Sequence, residues 1–365
     1  MPRVILIAPA AFKGSLGPRQ VAEALSIGVR RALPDAVVLQ CPISDGGDGL
    51  LDAVLPRESL RETVTVTGPL GPKVQGVLGW LDSDTAIFES ATACGIALLK
   101  PEQLDPLRAT TRGVGELIWE AVDRGARTVV VGLGGSATVD GGSGAARGLG
   151  WTLRDRAGAL LIEGGGSLVD IGALDGGWRL EAQVIALADV TTPITGPNGA
   201  AEVFGPQKGA SPEGVHRLAK GLEALAAEWS RHGRPELAAV PGGGAAGGLG
   251  AGLSFFARAE LIRGAAWVLD RVGFDAALAS AELLITGEGA FDRTSLVGKA
   301  SGEVLRRAQA AKKKVAVVAG TVADLIGVHA LGGEGRTLDT AGIAALAERA
   351  TREAFGLSSG PHATH

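Results

Sequence analysis

The period of the hydrophobic pattern changes along the chain, and each change marks an element. Val4–Ile7 is a mostly β-branched run that gives way to a loop with proline and glycine, Pro9–Gly17. Val21, Leu25, Ile27 and Val29 lie in a helical stretch ending before Pro34, and Ala36–Gln40 predicts a second strand. Strand, loop, helix, strand is the opening of a parallel α/β sheet. The style then shifts near residue 65. Thr63–Thr67, Val74–Leu81 and Thr85–Glu89 are predicted strands separated by Gly-Pro and Asp-Ser-Asp turns, as in a meander or mixed sheet.

The helical period returns at Val114, Leu117, Ile118, Ala121 and Val122 and leads into a strand at Thr128–Val131. Val184–Leu187 predicts another buried strand, and Leu218–Trp229 and Ala259–Leu269 predict helices. Leu283–Thr286 and Val315–Ala319 each follow a helical segment, as parallel strands do, and Ala341–Phe355 predicts a last helix. The first and last strands share a character that the middle lacks. The expectation is therefore two α/β domains. Residues 1–65 and 280–365 form one parallel-sheet domain from both chain ends, and 66–279 form an inserted mixed-sheet α/β domain.

Length agrees, since 365 residues exceed the roughly 250–300 at which single cores stop growing. With 46% apolar and 20% charged residues the chain is globular. A formal charge of −4, with six Trp, eight Phe and no Tyr, gives neither a basic field nor stacking platforms for nucleic acid. Two cysteines, Cys41 and Cys94, make no disulfide framework and read as small buried hydrophobes. No apolar run reaches membrane-spanning length, and a soluble, cytoplasmic protein is expected. A homodimer is left open. The 57 glycines are the informative excess, because they gather in loops where backbone amides can touch a ligand.

These loops follow strands, at the kind of position where open α/β sheets bind ligands. Phe12-Lys13-Gly14-Ser15 follows the first strand, and Ser44-Asp45-Gly46-Gly47-Asp48-Gly49 the second. The run Gly132–Gly142, with Gly134, Gly135, Ser136, Thr138 and Asp140, follows Thr128–Val131. Asp189 follows Val184–Leu187, and Thr286-Gly287-Glu288-Gly289 with Asp292 follows Leu283–Ile285. A Gly-rich loop carrying hydroxyls suits nucleotide phosphates, because successive N–H groups cradle an anion. Gly132–Ala137 also fits a loose dinucleotide pattern with Asp155 as ribose acid, and an ordinary tight turn is the plain alternative. Against the dinucleotide, Gly141, Gly142 and Gly144 make a poor first helix, at about 1 kcal/mol each. Asp45 and Asp189 could hold Mg²⁺ or a substrate hydroxyl; Asp189 has the stronger case, because a carboxylate is costly to bury at the end of an apolar strand. Lys13, Lys208 and Lys299 each adjoin glycine, and together they suit a polyanionic substrate.

In order, these motifs resemble the class I glycerate kinase family over almost the whole chain. The family's A-P-D-S-F-K-G-S corresponds to Ala8–Ser15, with Ala10 and Ala11 in place of Asp and Ser. Its P-x-x-D-G-G-E-G corresponds to Pro42–Gly49, and its G-G-S-A-T-N-D-G-G to Gly134–Gly142 with Val139 for Asn. F-G-P-Q-K-G-A at Phe204–Ala210 and A-A-G-G-L-G at Ala245–Gly250 are intact. Further departures are Thr192 for Asn and Thr294 for Gln, the latter within the T-G-E-G-x-x-D motif that begins at Thr286.

The resemblance implies a flavodoxin-like domain with an inserted domain, and ATP-dependent phosphorylation of D-glycerate to 2- or 3-phosphoglycerate in a cleft between them. It implies ATP and Mg²⁺ as cofactors. By the same resemblance the Gly134–Gly142 loop holds nucleotide phosphates, and Asp189 with Asp45 or Asp292 serves Mg²⁺ and hydroxyl activation. Lys13 or Lys208 serves anionic groups, and Ser15, Glu288 and Lys299 complete the set. The competing expectations are an NAD(P)-dependent oxidoreductase using Gly132–Ala137 and a non-catalytic small-anion binding protein.

Overall fold

The structure, a computed structural model, describes residues 2–12, 15–55, 60–296, 299–323, 329–332 and 338–358. Its strands are β1 (Val4–Pro9), β2 (Val37–Gln40), β3 (Arg61–Thr67), β4 (Lys73–Trp80), β5 (Thr85–Glu89), β6 (Thr128–Gly132) and β7 (Thr152–Asp155). They continue with β8 (Ile171–Asp175), β9 (Gln183–Leu187), β10 (Glu260–Ile262), β11 (Leu283–Phe291), β12 (Lys314–Val322) and β13 (Ala330–Gly332). The chain divides into two compact units, Met1–Asp45 with Asp52–Val54 and Ala265–His365, and Gly46–Leu51 with Leu55–Gly264.

The first unit holds a five-stranded sheet in the order β13-β12-β11-β1-β2. Every pairing in it is parallel. Counted within this sheet the order is the flavodoxin-like 2-1-3-4-5, whose switch point falls between β1 and β11. Alternation along β1 sorts the two faces. Ile5 and Ile7 pack with Val21, Leu25 and Val29 of the Pro18–Ala32 helix and with Ile343 and Ala347 of the Thr340–Phe355 helix. Leu6 and Ala8 point the other way, onto Leu269, Phe274, Leu278 and Val304.

The second unit is built on a six-stranded sheet in the order β10-β9-β6-β5-β4-β3. It is mixed: β3–β4 and β4–β5 are antiparallel, whereas β5–β6, β6–β9 and β9–β10 are parallel. The Arg112–Asp123 helix lays Val114, Leu117, Ile118 and Ala121 on this sheet, at the spacing the sequence displays. A separate core gathers under the Pro212–Arg231 helix, where fully buried Trp229 stacks on Phe255. Ser211 caps that helix by accepting from the Gly214 amide.

Three local readings change. β11 does not end before the Thr286–Gly289 motif but runs through it, paired with β12 as far as Phe291 and Val322. Glycine is required there for a close approach, because a Cβ on Gly287 would lie 2.3 Å from the Val318 carbonyl oxygen. Ala259–Leu269 is not one helix. Glu260–Ile262 pairs with β9 at the sheet edge and the helix starts at Gly264; three edge residues are too few to display a strand period. The β7–β8 hairpin and β13 had no expectation, their apolar residues being too sparse to form a run. Among the described residues no helix is long and apolar enough to cross a membrane.

Candidate active site

The loop after β6 is fixed from both sides. Leu133 N donates to the Leu187 carbonyl at 3.0 Å, Ile96 N to the Gly135 carbonyl at 2.8 Å and Ala137 N to the Cys94 carbonyl at 2.8 Å. Gly135 has φ +58°, and a Cβ there would come within 2.7 Å of an Asp48 carboxylate oxygen. These bonds use the Gly135 carbonyl and the loop's outer amides, those of Leu133 and Ala137. The consecutive amides of Gly134, Gly135 and Ser136 donate to no acceptor among the described residues. Three adjacent N–H groups left over in this way form a nest for an anion.

Lys208 lies behind that nest and is 4% exposed. Its Nζ donates to Ser136 Oγ at 2.9 Å and to the Thr138 carbonyl at 2.7 Å, and it stands 5.8 Å from the centroid of the Phe204 ring. Burial brings this ammonium down to about 8, against the opposing pull of the Asp140 carboxylate. Cys94 is itself fully buried, and burial pushes its thiol up to about 12.

Asp140 faces inward. It is fully buried, and its Oδ2 accepts from the Thr111 amide and hydroxyl, both at 2.9 Å, and from the Gly144 amide at 3.1 Å. Oδ1 accepts from the Gly142 amide at 3.1 Å. Burial raises its carboxyl above the ordinary range, and these donors offset only part of that rise. Thr111 in turn accepts from the Ala145 amide at 2.9 Å, so one Asp–Thr pair binds the loop to the start of the Ser143–Gly148 helix. Sequence reasoning missed Thr111; its position directly before the Arg112–Asp123 helix was the available sign.

Asp189 lies just beyond β9 with its side chain 4% exposed, and Arg263 Nε stands 3.8 Å from its Oδ1. In the first unit, Glu288 is 8% exposed on β11, its Oε2 is 3.6 Å from Lys299 Nζ, and its buried Oε1 has no hydrogen-bond partner among the described residues. Lys299 is the N-cap residue of the Ala300–Ala310 helix. Asp292 closes a tight turn with Ser295, each side chain accepting from the other's amide at 3.2 and 3.1 Å. Asp45 is half-buried in the loop after β2. Ser15 is exposed, its hydroxyl 3.4 Å from the Leu338 carbonyl. Lys13 lies outside the described residues.

The structure thus brings Gly134, Gly135, Ser136, Thr138, Asp140 and Lys208 together in one unit and Glu288 with Lys299 in the other. Among the described residues no three His, Cys, Asp or Glu side chains form a metal-holding group. Asp155 ends β7 in an antiparallel hairpin, where its Oδ1 accepts from the Ala157 and Ala159 amides, both at 2.9 Å. That is a turn-forming aspartate, and a ribose-binding acid of the dinucleotide fold would end a parallel strand.

A sequence profile of the glycerate kinase family matches residues 5–352. The chain is 41% identical over 334 residues to the protein named glycerate 2-kinase of Escherichia coli (strain K12), covering 89% of this chain and 87% of that one. It is 38% identical over 326 residues to a glycerate kinase of Bacillus subtilis (strain 168), covering 87% and 85%. A crystal structure assigned to glycerate kinase 2 of Salmonella typhimurium LT2 superposes with a TM-score of 0.83 at 37% identity, covering 98% of this chain and 99% of that one. The protein is a kinase. It belongs to the glycerate kinase family.

Proposed function

We propose that this enzyme transfers the γ-phosphoryl group of ATP to the C2 hydroxyl of D-glycerate, yielding 2-phosphoglycerate and ADP. The observation that carries the reading is the nest of Gly134, Gly135 and Ser136 amides backed by Lys208, in a chain 41% identical to a protein named glycerate 2-kinase. Phosphoryl transfer asks little covalent chemistry of a protein. It depends on in-line positioning and on stabilising charge spread over the phosphoryl oxygens.

In this reading the nest amides and the Ser136 and Thr138 hydroxyls receive the nucleotide phosphates, and the Lys208 charge lies beneath them. Asp140 keeps the loop in shape through its bonds to Thr111, Gly142 and Gly144. Lys13, Ser15 and Lys299 serve the anionic groups of the substrates, and Asp292 or Glu288 takes the proton from the attacking hydroxyl.

The donor chemistry fits magnesium. Nucleotide-bound Mg²⁺ takes one or two carboxylates and fills its shell with water and phosphate oxygens. Asp189, at the end of β9 with its side chain 4% exposed, would be such a carboxylate. When bound, the ion neutralises charge on the transferring phosphoryl group.

The test is a coupled assay of ADP formation with ATP, Mg²⁺ and D-glycerate, the product being identified by phosphorus NMR. Glycerate-dependent turnover giving the 2-phosphate is expected. Glycerate binding without turnover would make this an anion-binding protein, and a 3-phosphate product would overturn the assignment of the hydroxyl.

A further inference from the structure

We infer that Lys208 is a positioning residue, which fixes the Ser136 hydroxyl so that its proton points outward to a phosphate oxygen of the nucleotide. The inference rests on the reading of the Gly134–Thr138 loop as a nucleotide-phosphate cradle, and it gives Lys208 a part different from that of a phosphate ligand.

The geometry sets the direction of every proton involved. A lysine ammonium has three donors and no acceptor. With Nζ 2.9 Å from Ser136 Oγ and 2.7 Å from the Thr138 carbonyl, both oxygens accept from it. The hydroxyl proton of Ser136 must then leave on the side away from Lys208. Ser136 Oγ has no other hydrogen-bond partner among the described residues. The same residue contributes the last of three consecutive amides that meet no acceptor among the described residues. Hydroxyl and amides therefore present donors together, as a phosphate group requires. Ser136 and Lys208 are both buried, at 3% and 4% exposure, and two of the three ammonium donors are already taken by Ser136 and Thr138.

The arrangement depends on the ammonium being charged. A neutral amine carries a lone pair and can accept from Ser136, which would turn the hydroxyl inward and take a donor from the cradle. Burial places that change near pH 8. The ionisable groups that act on Lys208 are Cys94, neutral up to about pH 12, and Asp140, held by Thr111, Gly142 and Gly144.

Kinetics of the wild type, Ser136→Ala and Lys208→Met between pH 6.5 and 9.5, with ATP varied at saturating glycerate and Mg²⁺, test the inference. ATP affinity is measured alongside by calorimetry. For the wild type KM for ATP should rise several-fold above pH 8 while kcat stays within about threefold. Ser136→Ala should raise KM for ATP about tenfold at pH 7, leave kcat within about threefold, and remove the alkaline rise; Lys208→Met should do the same. A merely structural pair would change stability and leave the pH profile alone. Wild-type KM in Ser136→Ala, an alkaline rise kept by both variants, or a loss confined to kcat would each overturn the inference. Should Lys208→Met fail to fold by circular dichroism, Ser136→Ala decides alone, since it removes one hydroxyl and leaves the lysine bonded to Thr138. If the wild type binds ATP but does not phosphorylate glycerate, the proposed function fails, and the calorimetric pH series still tests this inference.

Discussion

Arg263 Nε stands 3.8 Å from Asp189 Oδ1 because β9 and β10 run parallel with Leu187 opposite Ile262, so both chains leave the sheet side by side. The two members are unequal. Asp189 is 4% exposed at its side chain and Arg263 is 63% exposed. Removing the arginine costs an exposed partner, worth about 0–1 kcal/mol, whereas neutralising the aspartate removes a charge at the end of a buried strand.

Asp189→Asn should therefore lower kcat at least about tenfold, roughly 1.4 kcal/mol of transition-state stabilisation, while Arg263→Gln changes it less than about threefold. Steady-state kinetics on both variants, with folding checked by circular dichroism, decide the matter. Unchanged turnover in Asp189→Asn would remove this residue from the site.

Asp140 makes the opposite kind of prediction. Its two oxygens accept from four donors in the loop. Asparagine keeps the shape but turns one acceptor into an NH₂ that faces donors. Asp140→Asn should destabilise the protein by about 3 kcal/mol, the order expected when buried partners of a charged acceptor lose it. Urea denaturation measures this, and a midpoint within error of the wild type would show that the donors are satisfied in another way.

Lys208 gives stability a defined pH dependence. Its proton is held more weakly in the folded protein, at about 8, than at the ordinary value of 10.5. Between those limits the unfolded chain binds more protons, so stability rises with pH across that window. The two buried thiols, Cys41 pushed up to about 11 and Cys94 to about 12, act in the reverse sense above their ordinary value of 9.0. Both remain in Lys208→Met, so the difference between the two proteins isolates the lysine. Wild type should gain on Lys208→Met from pH 8 to 10; parallel curves would refute the shift.

Much of this was legible beforehand for a physical reason. β1, β5, β6 and β9 are continuous apolar runs because parallel strands are covered on both faces, and the loops beyond them announce themselves by glycine and carboxylates. What stayed hidden depends on partners distant in sequence. Nothing in Glu260-Leu261-Ile262 marks an edge strand until β9 lies beside it. Nor does the sequence around Lys208 tell a lysine aimed at a ligand from one bonded to residues about seventy positions earlier. Motif spacing selects residue types, and only packing gives their direction.

Glu288 is the clearest place where stability and activity should part. Its carboxylate lies in β11 beside β1, at the switch point of the parallel sheet. One oxygen is 3.6 Å from Lys299, and the other is buried without a hydrogen-bond partner among the described residues. A buried carboxylate oxygen left unpaired costs free energy, and groups held at such a cost concentrate where function needs them. Glu288→Gln keeps the shape and removes the charge. The variant should melt at the wild-type temperature or higher and yet turn over glycerate at least about tenfold more slowly. Thermal denaturation and steady-state kinetics on one preparation give both values. If the melting temperature falls while turnover is kept, the carboxylate is a structural partner of Lys299, and its unpaired oxygen has no part in catalysis.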